Sequence, residues 1–234
     1  LDLSGTGAAG AGALSGSGTA AYIGAISLLA DAQVSASSVS DRLSLQGVIN
    51  GGGQSLTIGG SGTLVLAGGV IDAQSIEQLA SSRIDLGSGQ TVDSRSGQVY
   101  RGVVSGTDVR LTSTQGGSIE AVTVGNDFSG RITVSGQDVT LRDANSLEVA
   151  GTIRGDLVTH SQALKLGATT VGGTAALNAG GSVTQDGVVT VSGTTAIKAD
   201  KQTVMLDLAN DFVGRMTVSG QDVTLRDANS LEVA

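Results

Sequence analysis

The chain has 234 residues, with 37 glycines, no proline, no cysteine and only two tyrosines and two phenylalanines as aromatic residues. A hydrophobic content of 39% and a net charge of -8 argue against a self-repelling disordered coil. Lysine and arginine form no basic run, which argues against nucleic acid or an anionic membrane as a partner. Because large rings are scarce, we expect a thin interior of Val, Leu, Ile and Ala.

The sequence of the N-terminal part predicts β-strands. The apolar stretch AAYIGAISLLADA at residues 20–32 is interrupted at Asp31, so it is too short to span a bilayer and predicts a strand pair or core segment. The chain begins with Leu1 and shows no targeting signal, so we expect a piece of a longer protein. The absence of cysteine fits a secreted protein stabilised without disulfides.

A long repeat dominates the rest of the chain. NDFSGRITVSGQDVTLRDANSLEVA at residues 126–150 returns as NDFVGRMTVSGQDVTLRDANSLEVA at residues 210–234, and a degenerate third copy occupies residues 47–70. We therefore divide one continuous domain, residues 1–234, into a degenerate repeat at 47–129, a repeat at 130–213 and a partial repeat at 214–234. The least regular stretch is 71–120, where we expect a bend or a segment outside the repeating structure.

A shorter unit of Thr, a β-branched residue, any residue and Gly lies inside the long one. Its copies begin at Thr133, Thr152, Thr170, Thr190 and Thr217, so the first four start at nearly equal intervals and the last interval is longer. This spacing predicts four coils in each 84-residue repeat, the last one longer. We expect the Asn-Asp-Phe segments at 126–128 and 210–212 to form a loop leaving the coil, with Phe128 and Phe212 covering the coil there.

Apolar residues alternate after each short unit, which is typical of short strands joined by glycine turns. The inward positions that this pattern predicts are Val139, Leu141, Leu157, Thr159, Ala175, Leu177, Thr195, Ile197, Val223 and Leu225. A unit of about 20 residues cannot bury an apolar face alone, whereas stacked units can. The sequence therefore predicts an all-β solenoid with about 18–20 residues per coil and one longer coil per 84-residue repeat.

The runs NDFSGRITVSGQDVTLRDANSLEVAGTIRGDL and LGATTVGGTAALNAGGSVTQDGVVTVSGTTAIKA resemble the long repeats of filamentous-haemagglutinin-like exoproteins of the two-partner secretion family and of autotransporter-type adhesins. The resemblance covers roughly residues 15–234. It implies a right-handed parallel β-helix, exported through an outer-membrane transporter as a partner, and located outside or on the surface of a Gram-negative bacterium.

The resemblance also implies a function. We expect a structural shaft segment of an adhesin that mediates attachment, aggregation or biofilm formation, with exopolysaccharide or surface glycans and receptors as candidate partners. The alternatives are the inert stalk of a toxin-delivery exoprotein and a polysaccharide-degrading β-helix enzyme. No paired carboxylates and no nucleophile with a base stand out, so we expect no catalysis in this segment.

Two groups of residues are candidates for binding. The first is the tripeptide Arg154, Gly155 and Asp156, which matches an integrin-binding motif and falls in a turn. The second is repeated: it consists of Asp138, Thr140 and Arg142 in one copy, and of Asp222, Thr224 and Arg226 in the other. Four coils separate the two copies by about 19 Å, so we expect one surface displayed at regular intervals, suited to multivalent glycan binding.

We expect no cofactor and no metal site. His160 is the only histidine, which excludes triads and multi-histidine sites within this chain, and we expect it to be solvated. Asn126, Asp127, Asp143 and Asn145 supply oxygens of the kind that calcium prefers. The competing interpretation is that these side chains satisfy backbone groups in turns.

Overall fold

The computed structural model describes residues 1–234 as parallel strands stacked into a β-solenoid of about 11 turns. The one helical element is a single 3-10 turn at Ala8–Gly10. The structure contains no helix with the length and apolar character that crossing a membrane requires. Parallel pairing lets each strand bond to its equivalent in the next turn, and no proline interrupts the bonds.

The strands of the N-terminal half are β1 Asp2–Gly5, β2 Leu14–Gly16, β3 Thr19–Tyr22, β4 Ile26–Ala36, β5 Arg42–Leu45, β6 Ile49–Asn50, β7 Leu56–Gly60, β8 Thr63–Leu66, β9 Val70–Ala73, β10 Ile76–Gln78, β11 Arg83–Ser88, β12 Thr91–Ser94, β13 Gly97–Tyr100, β14 Val103–Thr107, β15 Arg110–Ser113 and β16 Ser118–Ala121. Those of the C-terminal half are β17 Asp127–Ser129, β18 Arg131–Gly136, β19 Val139–Arg142, β20 Ser146–Ile153, β21 Leu157–Ser161, β22 Ala163–Val171, β23 Ala175–Ala179, β24 Val183–Gln185, β25 Val189–Val191, β26 Thr195–Lys198, β27 Val204–Phe212, β28 Met216–Ser219 and β29 Val223–Asp227.

The strands form three faces, visited in order in each turn. Face A is a six-stranded sheet of β3, β5, β8, β11, β14 and β17. Its place is taken later in the chain by the N-terminal halves of β20, β22 and β27, together with β24 and β29. Face B contains β6, β9, β12, β15, β18, β25 and the C-terminal halves of β20, β22 and β27. Face C contains β7, β10, β13, β16, β19, β21, β23, β26 and β28.

The coils differ in length along the chain. On face C the residues that lie opposite one another in successive turns are Leu56, Ile76, Gln98, Ile119 and Val139. The column continues through Leu157, Ala175, Thr195 and Met216. The coil from Ile76 to Gln98 is the longest of these, and the two coils between Val139 and Ala175 are the shortest. The predicted coil length therefore holds from Val139 to Thr195, while the coils before Val139 lie at or above its upper limit.

The interior is a column of Val, Leu, Ile and Ala side chains along the axis. The predicted inward positions from Val139 to Ile197 are all buried, whereas Val223 and Leu225, on the last turn, are exposed and half-buried. Aromatic rings also enter the core, because Tyr100, Phe128 and Phe212 are buried. The Tyr100 ring has a small neighbour, Ala121, opposite it in the next turn, and its hydroxyl donates to Gln98 Oε1 at 2.8 Å.

Residues 71–120 do not form the predicted bend or extra-helical segment. The strands from β9 to β16 continue all three faces and pair with the turns before and after them, with a local register shift where β12 meets β9 and where β11 meets β14. The prediction was wrong because the short unit of Thr, a β-branched residue, any residue and Gly is missing there, while the alternation of buried and exposed residues that forms the strands persists.

The Asn-Asp-Phe segments are not loops leaving the coil. Asp127–Ser129 is strand β17 of face A, and Asp211 and Phe212 end strand β27. Phe128 and Phe212 lie inside the core and do not cover it from outside. The error has a physical cause: the buried side chain of the preceding asparagine satisfies backbone groups, which lets a polar residue lie inside the wall.

The short units do not all stack as predicted. Thr152, Thr170 and Thr190 are opposite one another, as expected, but Thr152 lies opposite Ser135 and not opposite Thr133. Thr190 lies opposite Asp211 on face B, whereas Thr217 lies on face C opposite Ala196. The predicted long coil is thus one coil of ordinary length, from Thr190 to Asp211, followed by a short step to the next face.

This step rotates the second copy of the repeat relative to the first. Val139 and its equivalent in the second copy, Val223, lie on different faces: Val139 is opposite Leu157 on face C, and Val223 is opposite Val204 on the face A position. Met216 is the residue that lies four turns after Val139. The expectation that the repeat displays one surface at regular intervals along one side is therefore wrong for these two copies.

Candidate functional site

A polar brace links the Asn-Asp-Phe start of the duplicated segment to the residues just before β20. Asp143 accepts hydrogen bonds from the backbone N–H of Phe128 at 2.6 Å and of Asn145 at 2.6 Å, and Asn145 Nδ2 donates to Asp127 Oδ1 at 3.2 Å. Asn126 is fully buried, accepting from the Val104 N–H at 2.9 Å and donating to the Ala121 carbonyl at 3.0 Å. These are the four residues considered for calcium, and their polar groups bond to one another and to the backbone.

The second copy forms the same brace on its own face. Asp227 accepts from the Phe212 N–H at 2.7 Å and the Asn229 N–H at 2.7 Å, and Asn229 Nδ2 donates to Asp211 Oδ1 at 3.2 Å. Asn210 is buried and accepts from the Val189 N–H at 2.9 Å. The brace is therefore encoded within the duplicated segment and does not depend on the face that the segment occupies.

Burial raises the pKa of Asp143 above its ordinary value of 3.8, although the two backbone N–H donors act in the opposite direction. The neighbouring charge of Asp127 adds to the increase. The structure brings no group of three or more His, Cys, Asp or Glu side chains into an arrangement that holds a metal ion.

The Arg154, Gly155 and Asp156 tripeptide forms the turn between β20 and β21. Its backbone is held by the preceding coil, because the Arg154 N–H donates to the Gly136 carbonyl and the Gly155 N–H to the Gln137 carbonyl. The Asp156 carboxylate is engaged as well, since it accepts from the Thr174 N–H at 2.7 Å. The Arg154 side chain is exposed. The tripeptide is thus part of a turn that is hydrogen-bonded to the neighbouring coils.

The repeated candidate residues are placed on two faces. Asp138 precedes β19 and accepts from the Asp156 N–H at 2.9 Å, so the structure brings these two candidates together. Thr140 and Arg142 point outward from face C, because Val139 and Leu141 are buried. Asp222, Thr224 and Arg226 are exposed on the last turn, away from the first set. The six residues therefore do not form one surface.

A polar groove runs along the corner where face C ends. Its central residues are Arg142, His160, Asn178 and Lys198, which lie directly opposite one another on four consecutive strands. The groove has a volume of about 400 Å³, and its other lining residues are Val124, Asp143, Ala144, Ser161, Gln162, Ala179, Gly180 and Asp200. We call it the corner groove.

The basic residues of the corner groove differ from those of a nearby ion-pair network. Arg131 and Lys165 bond to Asp186 at 2.6 and 2.7 Å, and both also contact Glu148. The Lys165 hydrogen bond is the main cause that lowers the pKa of Asp186, and the Arg131 charge lowers it further. Arg142 and Lys198 form no ion pair within the chain; Arg142 is half-buried and Lys198 is exposed.

Sequence reasoning found Arg142 but missed the rest of the corner groove. His160 was expected to be solvated, and it is exposed, but it is also the second member of the stack. The sequence does contain a signal for the groove. Each of the four residues directly follows the second predicted inward residue of its strand: Arg142, His160, Asn178 and Lys198. Reading the outward positions in the same register would have aligned the four.

The geometry defines a β-solenoid repeat protein. A family model described as repeats of unknown function (DUF5649) matches residues 155–219, which span β21 to β28. The match includes His160, Asn178 and Lys198 of the corner groove, and excludes Arg142. No curated protein and no solved structure matches the chain.

Proposed function

We propose that this chain is a structural shaft segment of a secreted or cell-surface bacterial adhesin that mediates attachment, aggregation or biofilm formation. The observation that carries the proposal is the uninterrupted stacking of about 11 turns around one apolar column. In such a structure each turn contacts only its neighbours, so turns can be added to lengthen a rod without redesigning a core. A long rod projects a binding surface away from a cell.

The duplicated segment supports the same proposal. Both copies carry the same brace although they occupy different faces. A segment that forms the same structure on any face of the solenoid suits a protein that lengthens by duplication.

The experiment that tests the proposal uses the full-length parent protein in the bacterium that makes it. Antibodies against this segment should label intact cells, and deletion of residues 157–174, one complete coil from Leu157 to the residue before Ala175, should leave the protein exported. Deleting the whole segment should reduce attachment or aggregation. If attachment is unchanged while inhibition of neighbouring cells is lost, the segment is the stalk of a toxin-delivery protein, and the adhesin proposal is wrong.

A further inference from the structure

We propose that the corner groove binds a carboxylate-bearing polysaccharide that runs along the solenoid axis. The inference rests on the proposed function and deepens it, since it gives the shaft a ligand class and a site. The side chains that carry it are Arg142, His160, Asn178 and Lys198.

The first argument is periodicity. The four residues are in register on β19, β21, β23 and β26, so their backbones are about 4.8 Å apart and the row is about 14 Å long. The spacing is close to the length of one pyranose unit in an extended polysaccharide. A linear polymer can therefore meet one polar side chain at each sugar, and several weak contacts add through effective concentration.

The second argument is the availability of donors. Arg142 and Lys198 form no hydrogen bond to the chain through their side chains, and neither does His160. Asn178 uses only its Nδ2, which donates to the Thr159 carbonyl at 3.2 Å. Arginine and lysine bind carboxylates by charge-assisted hydrogen bonds, whereas amides and imidazoles also suit hydroxyl groups.

Two acidic residues line the corner groove, and they differ in how strongly they can repel a bound carboxylate. Asp143 is buried and accepts backbone hydrogen bonds with both of its oxygens. Asp200 lies at the far end beside Lys198. The row thus has a cation at each end, with the imidazole of His160 and the amide of Asn178 between them.

Charge density favours a polysaccharide over nucleic acid as the ligand of the corner groove. Duplex DNA carries one charge per roughly 1.7 Å of axis, far more than two cations separated by three strand spacings can neutralise. The net charge of -8 adds long-range repulsion. A polymer with one carboxylate for each sugar has a lower charge density, and its hydroxyl groups match the central donors.

The test is titration calorimetry of the whole chain with oligogalacturonate at low ionic strength, and with the same oligomer fully methyl-esterified. We expect saturable binding of the acid form only. The double variant Arg142→Gln with Lys198→Gln should bind about tenfold more weakly or worse, since two charge-assisted contacts are lost. Thermal unfolding should show that this variant remains folded.

The control is the double variant Arg83→Gln with Arg110→Gln, which changes the net charge equally at two exposed arginines that form no ion pair and lie outside the groove. It should retain wild-type affinity.

Three results would overturn the inference: no binding of the acid form by the wild type, equal binding of the ester, or equal weakening in the control. Single-stranded DNA that binds more tightly than oligogalacturonate and depends on Arg142 and Lys198 would assign the groove to nucleic acid instead. If the oligomer does not bind while the full-length protein still supports attachment, the corner groove assignment falls and the adhesin proposal stands.

Discussion

Thr159 points into the core of the solenoid with a buried hydroxyl that has no hydrogen-bond partner. A buried polar group without a partner loses its hydration and gains nothing in return. Valine has almost the same shape as threonine and no such group. The apolar column therefore contains a polar hydroxyl, that of Thr159, which its surroundings do not satisfy.

We expect Thr159→Val to raise the free energy of unfolding by about 1 kcal/mol, because it removes this desolvation cost. Urea or thermal unfolding measures the change. The matched control is Thr140→Val on the neighbouring strand, where the side chain points outward and is half-buried. A destabilised Thr159→Val variant would show that the hydroxyl has a partner in solution, such as a buried water molecule.

At the residue scale, Asp186 makes the stability of the fold depend slightly on pH. Its folded-state pKa is lowered below 3.8, chiefly by the hydrogen bond from Lys165. A lowered carboxyl pKa means stability that is present above 3.8 and lost as pH falls through the folded pKa. Because the partners are 25–42% exposed, solvent screening keeps this contribution small.

We expect Asp186→Asn to lower the melting temperature slightly at neutral pH, and to have no effect below the folded pKa, where the wild-type carboxyl is protonated as well. Melting curves over an acid pH series measure the difference. A difference between the two proteins that stays constant through the acid range would contradict the assignment.

At the scale of elements, the brace joins β17 to the residue just before β20 through one carboxylate. Asp143 accepts hydrogen bonds from two backbone N–H groups, those of Phe128 and Asn145. The brace also explains how a polar Asn-Asp-Phe segment follows the wall of the solenoid. Local side-chain bonding of this kind is a general use of Asp and Asn.

We expect Asp143→Ala to cost about 2–3 kcal/mol in stability, because the buried N–H of Phe128 and the part-buried N–H of Asn145 lose their acceptor. Asp227→Ala removes the same bonds in the second copy, but Asp227 is half-buried on the last turn, so its effect should be smaller. Denaturant unfolding of both variants gives the comparison. Equal effects would mean that burial does not set the strength of the brace.

At the scale of the whole molecule, coil length decides which way each repeat faces. Four turns lead from Leu56 to Val139, an interval almost equal to the length of the long repeat. The next four turns are shorter and already end at Met216, so Val223, the repeat equivalent of Val139, falls on another face. Repeats of equal sequence are thereby displayed in different directions.

Engineered disulfides test this rotation, since the chain contains no cysteine. Ala196 and Thr217 are opposite each other and exposed, with an expected Cα separation of about 4.8 Å, which suits a disulfide. We expect Ala196→Cys with Thr217→Cys to cross-link readily under mild oxidation, as measured by mass spectrometry of peptides. The pair Thr190→Cys with Thr217→Cys should not cross-link. The opposite result would restore the four-coil register that the sequence predicted.

The sequence by itself determined the all-β class, the stacking of short coils and the inward residues from Val139 to Ile197. These features follow from alternation along a strand and from glycine turns, and both are local. Asp138, Arg142 and Arg154 were also placed correctly as outward or turn residues, for the same reason.

Only the tertiary structure decided the coil register, the brace and the corner groove. The register depends on how many residues each corner takes, and a corner is set by its contact with the preceding turn: the Gly155 N–H, for example, bonds to the Gln137 carbonyl and not to Gly136. A small difference in length at each corner matters little locally, but it accumulates over four turns into a change of face. Thr217 therefore lies beside Ala196 and not beside Thr190, because the register is a sum over the whole path of the chain.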